Sequence, residues 1–229
     1  MAIVQAPSAL CPLAADDLRP LADLVYERLV GAIVDGVLMP GARLSERGLA
    51  AALGISAQPV REALRRLEGE GMVETRPRSG SVVATLDNDK LVEMGRIRAV
   101  LEGAAADLAA RHATEDDLRR LEQRLTAMRE ATQLGDATAL RLANEAFHST
   151  LHAISDNPFL IRGLQALRAY DHIGRARVLA TDDQPRLALS EHADILAAIM
   201  ARDPEAAERR MRAHTLRSLA VAFPEETRT

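Results

Sequence analysis

The chain has no tryptophan, two tyrosines and three phenylalanines among its 229 residues. With Leu and Ala abundant, so thin an aromatic content favours helices, since pleated sheets select β-branched and aromatic side chains. A single cysteine, Cys11, excludes an internal disulfide. No apolar run approaches the ~18–20 residues of a membrane-spanning helix. The opening stretch, MAIVQAPSALCPLAADD, lacks the basic start and long apolar core of a signal peptide. Gln5, Pro7, Ser8 and Pro12 interrupt it, so residues 1–18 read as a flexible arm. A cytoplasmic protein with no membrane partner is expected. Lysine is nearly absent, Lys90 being the one lysine among 29 basic residues. The formal net charge of −4 argues against non-specific coating of nucleic acid but permits a local basic face. Most of that negative charge falls after residue 85, because the first 85 residues set nine arginines against ten acids.

The N-terminal part, residues 19–86, has the punctuation of a winged helix-turn-helix. Leu21 to Val34 carries apolar residues at helical spacing and stops before Asp35-Gly36 and Pro40-Gly41. Ser45 offers an N-cap to a helix that ends at Gly54, and Ser56 offers one to the next, SAQPVREALRRLEGEG. Two short helices joined by a glycine-containing turn make the DNA-binding layout. MVETRP and SVVATL, flanking Arg78-Ser79-Gly80, read as a hairpin wing. A recognition helix reads bases through its N-terminal residues, which makes Ser56, Gln58 and Arg61 candidates. Val60, Leu64 and Leu67 fall on the opposite, core-facing stripe. Arg47 and Arg78 stand where they would reach phosphates or groove edges, with Arg65 and Arg76 nearby. Arg65 and Arg66 could equally pair with Glu62, Glu68 or Glu70.

The segment AIVDGVLMPGARLSERGLAAALGISAQPVREALRRLEGEGMVETRPRSGSVV resembles the N-terminal domain of GntR-type transcriptional regulators. That resemblance implies operator contacts at Arg47, Ser56, Gln58, Arg61 and Gly80. Ala57 stands where the family usually has an arginine, so one common base contact is missing.

Residues 87–225 show only helical patterns: about Asn88–Arg111, Thr114–Gln133, Asp136–Ile154, Phe159–Ala180, Arg186–Met200 and a last helix opened by Asp203-Pro204. The expected fold is therefore mainly α, with a winged head and an antiparallel bundle of about six helices. Six histidines are present. Asn144, His148 and His152 share one helix face, while His192 and His214 lie on two later helices. Histidines converging from three helices would suit a transition metal such as Zn²⁺, although a lone core histidine is more often simply hydrogen-bonded. NEAFHSTLHAISDNPFL and SEHADILAAIMARDPEAAERRMRAHTLRSL resemble the FCD ligand-binding domain of the FadR-type branch. By that resemblance the metal ligands are Asn144, His148, His192 and His214, with Asn144 in place of the usual Asp and His152 outside the set. Zinc is the expected ion, with nickel or manganese as alternatives. The resemblance also implies a small carboxylate effector beside the metal, with Arg98 as its partner and Arg175 and Arg177 as weaker candidates. Arg98 could instead pair with Glu102, four residues on. The expected protein is a homodimeric regulator, most simply a repressor, bound to inverted-repeat operator DNA and controlled by that effector. The alternative is a metal-dependent helical-bundle enzyme, suggested by Glu145-x-x-His148. A di-iron centre needs a second such motif, and no H-e-x-x-h hydrolase motif occurs.

Overall fold

The computed structural model describes residues 19–34, 36–76, 80–85, 87–167, 173–174, 177–178, 183–224 and 227. Cys11, Arg78, His172 and Arg175 lie outside them. The chain divides into two compact units between Asp87 and Asn88.

The first unit runs α1 (Leu21–Val34), β1 (Arg43–Leu44), α2 (Glu46–Leu53), α3 (Ala57–Gly69), β2 (Val73–Arg76) and β3 (Gly80–Val83). Ser45 caps α2, its Oγ accepting from the Gly48 N–H at 3.2 Å. Gly54 ends that helix in the left-handed region, φ 70°, which glycine enters without steric cost. Val60, Ala63, Leu64 and Leu67 form the buried stripe of α3, which packs on Val25 and Leu29 of α1. The Tyr26 hydroxyl donates to Glu70 at 2.6 Å. Arg66 pairs with Asp23 and Glu70, with its guanidinium 3.7 Å above the Tyr26 ring. Arg66 therefore ties α1 to α3.

Two expectations need correction here. Ser56 occupies the N-cap position of α3, yet its side chain makes no cap hydrogen bond. The extra strand β1 extends the hairpin into an antiparallel sheet of order β1-β3-β2, pairing Arg43 with Val82. Two residues are too few to show a period of two, so the sequence carried no signal for it.

The second unit contains α4 (Asn88–His112), α5 (Glu115–Leu134), α6 (Ala137–Ile154), α7 (Pro158–Ala166), α8 (Gln184–Met200) and α9 (Pro204–Ala222). Side-chain caps open most of these helices. Thr114 and Asp117 form a reciprocal capping box on α5, while Asp136, Asn157 and Asp203 accept from the first-turn amides of α6, α7 and α9. The helix expected from Phe159 to Ala180 is divided: α7 ends at Ala166, and residues 173–174 and 177–178 are helical again. The apolar spacing continues through Leu164 and Leu167 without a proline or cap to mark the stop. Leu167, Gly174 and Val178 line one cavity.

Helix α4 is the axis of this unit and touches α6, α7, α8 and α9. Its buried positions include Ala99, Ala105, Ala106, Ala109 and Ala110, none more than 1% exposed. Methyl-sized side chains let α9 come close. A Cβ added at Gly95 would lie 2.3 Å from Leu219 Cδ1, and one at Gly103 would lie 3.1 Å from Glu208 Cγ. Larger residues such as Phe147, Leu151, Ile195, Ile199 and Met211 fill the space around it.

Candidate functional site

A cavity of about 710 Å³, counting its open mouth, enters the second unit between α4, α6, α8 and α9. Leu91, Met94, Gly95 and Arg98 form the α4 wall; Asn144 and His148 come from α6, and Ala188 from α8. His214, Thr215, Ser218 and Leu219 of α9 face them, with Phe223 and Val178 nearby. The wall is mostly apolar, with a few polar groups converging at one end, the usual construction of a small-molecule site.

At that end His148, His192 and His214 meet. One ring nitrogen from each lies within 4.8 Å of the others, and all three residues are buried. His148 Nε2 and His192 Nε2 are 3.0 Å apart. The opposite edge of each ring is held by an oxygen. His148 Nδ1 faces Glu102 Oε2 at 3.3 Å, His192 Nδ1 faces the Ala188 carbonyl at 2.6 Å, and His214 Nδ1 faces Glu191 Oε2 at 2.6 Å. A carbonyl or carboxylate oxygen only accepts, so each Nδ1 donates, and in the neutral imidazole Nε2 then keeps the lone pair that a metal needs. Oxygen acceptors that fix the tautomer are the arrangement found behind metal-bound imidazoles. The 3.0 Å spacing suits two nitrogens at about 2.1 Å from one ion. Three buried imidazoles with their ring nitrogens converging thus fit a divalent transition metal. Asn144, buried one turn before His148, reaches the same cavity wall.

Glu102 links these groups. It is fully buried and accepts from His152 Nε2 at 2.8 Å, from His148 Nδ1, and from Arg98 Nη2 at 2.5 Å. Burial pushes its carboxyl up, but the attraction of His152, Arg98 and His148 outweighs that and holds it well below the ordinary range. Glu191 resembles it: burial raises its carboxyl, while hydrogen bonds from His214 and Arg217 bring it below its usual value. Arg217 grips Glu191 through Nε and Nη2. Arg98 makes the pair with Glu102 that its i+4 spacing allowed, and it also lines the cavity. His152 sits behind His148 through Glu102. Neither carboxylate was recognised from sequence as a partner of the histidines. An acid one helical turn after Arg98 was the signal for Glu102, and Glu191, immediately before His192, had none. Arg177 is exposed, donates to Asn88 at 3.3 Å and covers the Phe223 ring.

In the first unit, Arg47, Ser56, Gln58, Arg61 and Gly80 are all exposed. Gln58 donates to Glu62 at 2.8 Å, and Arg61 donates to Glu46 of α2. Gly80 opens β3 with φ +70°, and a Cβ there would meet nothing within 4 Å. Its backbone conformation, rather than crowding, calls for glycine. Among the described residues, no helix is long and apolar enough to cross a membrane.

Comparison with known proteins bears on both units. Residues 21–83 match the family described as bacterial regulatory proteins, gntR family, and residues 93–217 match the FCD domain. The HTH-type transcriptional repressor RspR of Escherichia coli is 33% identical, over 86% of each chain. A probable D-xylose utilization operon transcriptional repressor of Paenarthrobacter nicotinovorans is 35% identical over 85% of each. The solved structure of E. coli McbR/YncC superposes with a TM-score of 0.77 at 28% identity, covering 91% of this chain and 99% of that one.

Proposed function

The chain belongs to the GntR family of DNA-binding transcriptional regulators, in the group that carries an FCD domain, and from that premise we propose a metal-assisted, carboxylate-responsive repressor. The observation that carries this reading is the convergence of His148, His192 and His214 at the polar end of a cavity that Arg98 also lines. Those three histidines, with Asn144 beside them, would hold a divalent ion, zinc or, as alternatives, nickel or manganese; imidazole suits zinc and nickel alike. The ion supplies a Lewis-acidic point for an anionic effector. Arg98, held in place by Glu102, supplies the planar fork that a carboxylate accepts. The apolar wall of Leu91, Met94 and Leu219 then selects the effector's carbon chain.

The first unit offers Arg47, Ser56, Gln58, Arg61 and Gly80 to the major groove and its phosphates, and Arg78, outside the described residues, is assigned to the wing. Two chains acting as a homodimer in the cytoplasm would read the halves of an inverted repeat. Effector binding biases the dimer between states of different operator affinity. The named repressors among the relatives favour release of DNA as the outcome.

Elemental analysis of protein purified without chelator tests the metal: about one zinc per chain is expected, and none after His148→Ala with His214→Ala. Metal-free wild-type protein would overturn that part. Thermal-shift screening against small carboxylates, with and without chelator, tests the effector, and a hit that survives chelation would separate it from the metal. Arg47→Ala should abolish gel-shift retention of a duplex selected by the wild-type chain, and Arg61→Ala should weaken it about tenfold or more, the scale of one base contact.

A further inference from the structure

Arg61 is the fifth residue of α3, and α2 holds its guanidinium from one side. Nε and Nη2 both donate to Glu46 Oε2, at 3.0 and 2.9 Å. The two side chains remain 45% and 39% exposed, so the pair sits at the surface of the helix-turn-helix. Glu46 raises the already high pKa of Arg61 by hydrogen bond and by charge, so the cation is permanent. A guanidinium has five N–H donors in a rigid planar fork. With the Nε side occupied, the outward edge is the one formed by Nη1 and the second Nη2 proton.

We propose that Glu46 is a positioning residue that makes Arg61 a guanine reader. Two parallel N–H donors on the free edge match guanine O6 and N7 in the major groove. Adenine places an amino donor where guanine has O6, so the same edge rejects it. An arginine released from Glu46 could swing to the phosphates, which attract it and carry no sequence information. The fixed carboxylate opposes that motion twice, by holding Nε and by repelling any phosphate that approaches the same side. The neighbouring Gln58 is directed to Glu62 and leaves Glu46 to the arginine. This inference rests on the DNA face proposed above and adds the base that one of its residues reads.

The experiment is selection of bound duplexes from a randomised pool by the full-length chain, with thermal unfolding of each variant run alongside. Wild type should enrich a motif with guanine at a fixed position of each half-site, and Arg61→Ala should lose the preference there and nowhere else. Glu46→Ala should still retain duplexes while its preference for that guanine falls about tenfold or more, the scale of one bidentate base contact. Glu46→Gln, which keeps an acceptor oxygen, should recover part of the preference. If Glu46→Ala binds with the base preference unchanged, even if more tightly to every duplex, Glu46 only tempers charge and the proposal is overturned. It also falls if the position lost by Arg61→Ala is not guanine. Failure of wild type to enrich any sequence would strike the DNA face itself and is distinguishable at that first step.

Discussion

Two arginine–glutamate pairs, one in each unit, hold their charges in opposite ways. In the first, Arg61 and Glu46 meet at the surface, both well exposed to water. In the second, Arg98 and Glu102 meet with side chains 7% and 0% exposed, and two histidines share the same carboxylate. A solvated pair is screened and contributes little to folding, and its outer edge stays accessible to DNA. A buried pair is costly to assemble and far costlier to break by removing one member, because the charge left behind has no water. An exposed pair therefore suits the unit that engages and releases a polyanion, whereas a buried network suits holding imidazoles in register.

The largest expected effect tests that contrast directly. Glu102→Ala strands Arg98 in the interior and should cost about 3–5 kcal/mol of unfolding free energy in urea titrations. A loss below about 1 kcal/mol would mean that water reaches the network and that the two units do not differ in this respect. Metal comes next. Zinc at about a hundredfold over its dissociation constant should stabilise the protein by about 2.7 kcal/mol. His192→Ala should abolish that gain, and wild-type protein indifferent to zinc would remove the reason for the fixed histidines. A smaller effect is expected at the capping box of α5. The Thr114 hydroxyl and backbone amide, then Arg120, hold the Asp117 carboxyl below its ordinary value. A carboxyl depressed by folding stabilises the protein above its unfolded pKa of about 3.9, and that gain disappears as pH falls through the lower folded value. Asp117→Asn should cost about 0.5–2 kcal/mol near neutral pH, and its difference from wild type should shrink as the solution becomes strongly acidic. Least of all, Glu46→Ala should leave the unfolding midpoint unmoved; a clear drop would show that the surface pair holds α2 to α3.

Legibility followed the same division between local and long-range causes. The helices opened by Ser45, Thr114, Asp136 and Asp203 were readable because capping chemistry is written within four residues of each start. The stripe of Val60, Leu64 and Leu67 was readable because a helical period needs no partner to declare itself. Strand β1 was not, since its pairing with Val82 is decided by a segment some forty residues away. The stop of α7 at Ala166 was hidden because no proline or side-chain cap marks it along the chain. At the cavity of the second unit, family resemblance named the histidines and Arg98, but the contacts of Glu102 and Glu191 appear only when α4 and α8 are packed against their neighbours. Spacing along one helix suggested Arg98 with Glu102. Nothing along the chain could place His152, fifty residues later, on the same oxygen that faces His148.

The alanine face of α4 has a consequence for how this protein can be surveyed. Mutational scans usually shorten side chains to a methyl group and rank positions by the damage. Along Ala99, Ala105, Ala106, Ala109 and Ala110 that substitution is the residue already present, so this face of α4 would pass for tolerant ground. Its sensitivity runs in the other direction. One added methylene or branch has no room and forces the neighbouring helices apart, typically at about 1–3 kcal/mol. A scan by enlargement, Ala→Val along α4, is the survey that would find the axis of the bundle, and through it any variant that reshapes the cavity without touching a polar group.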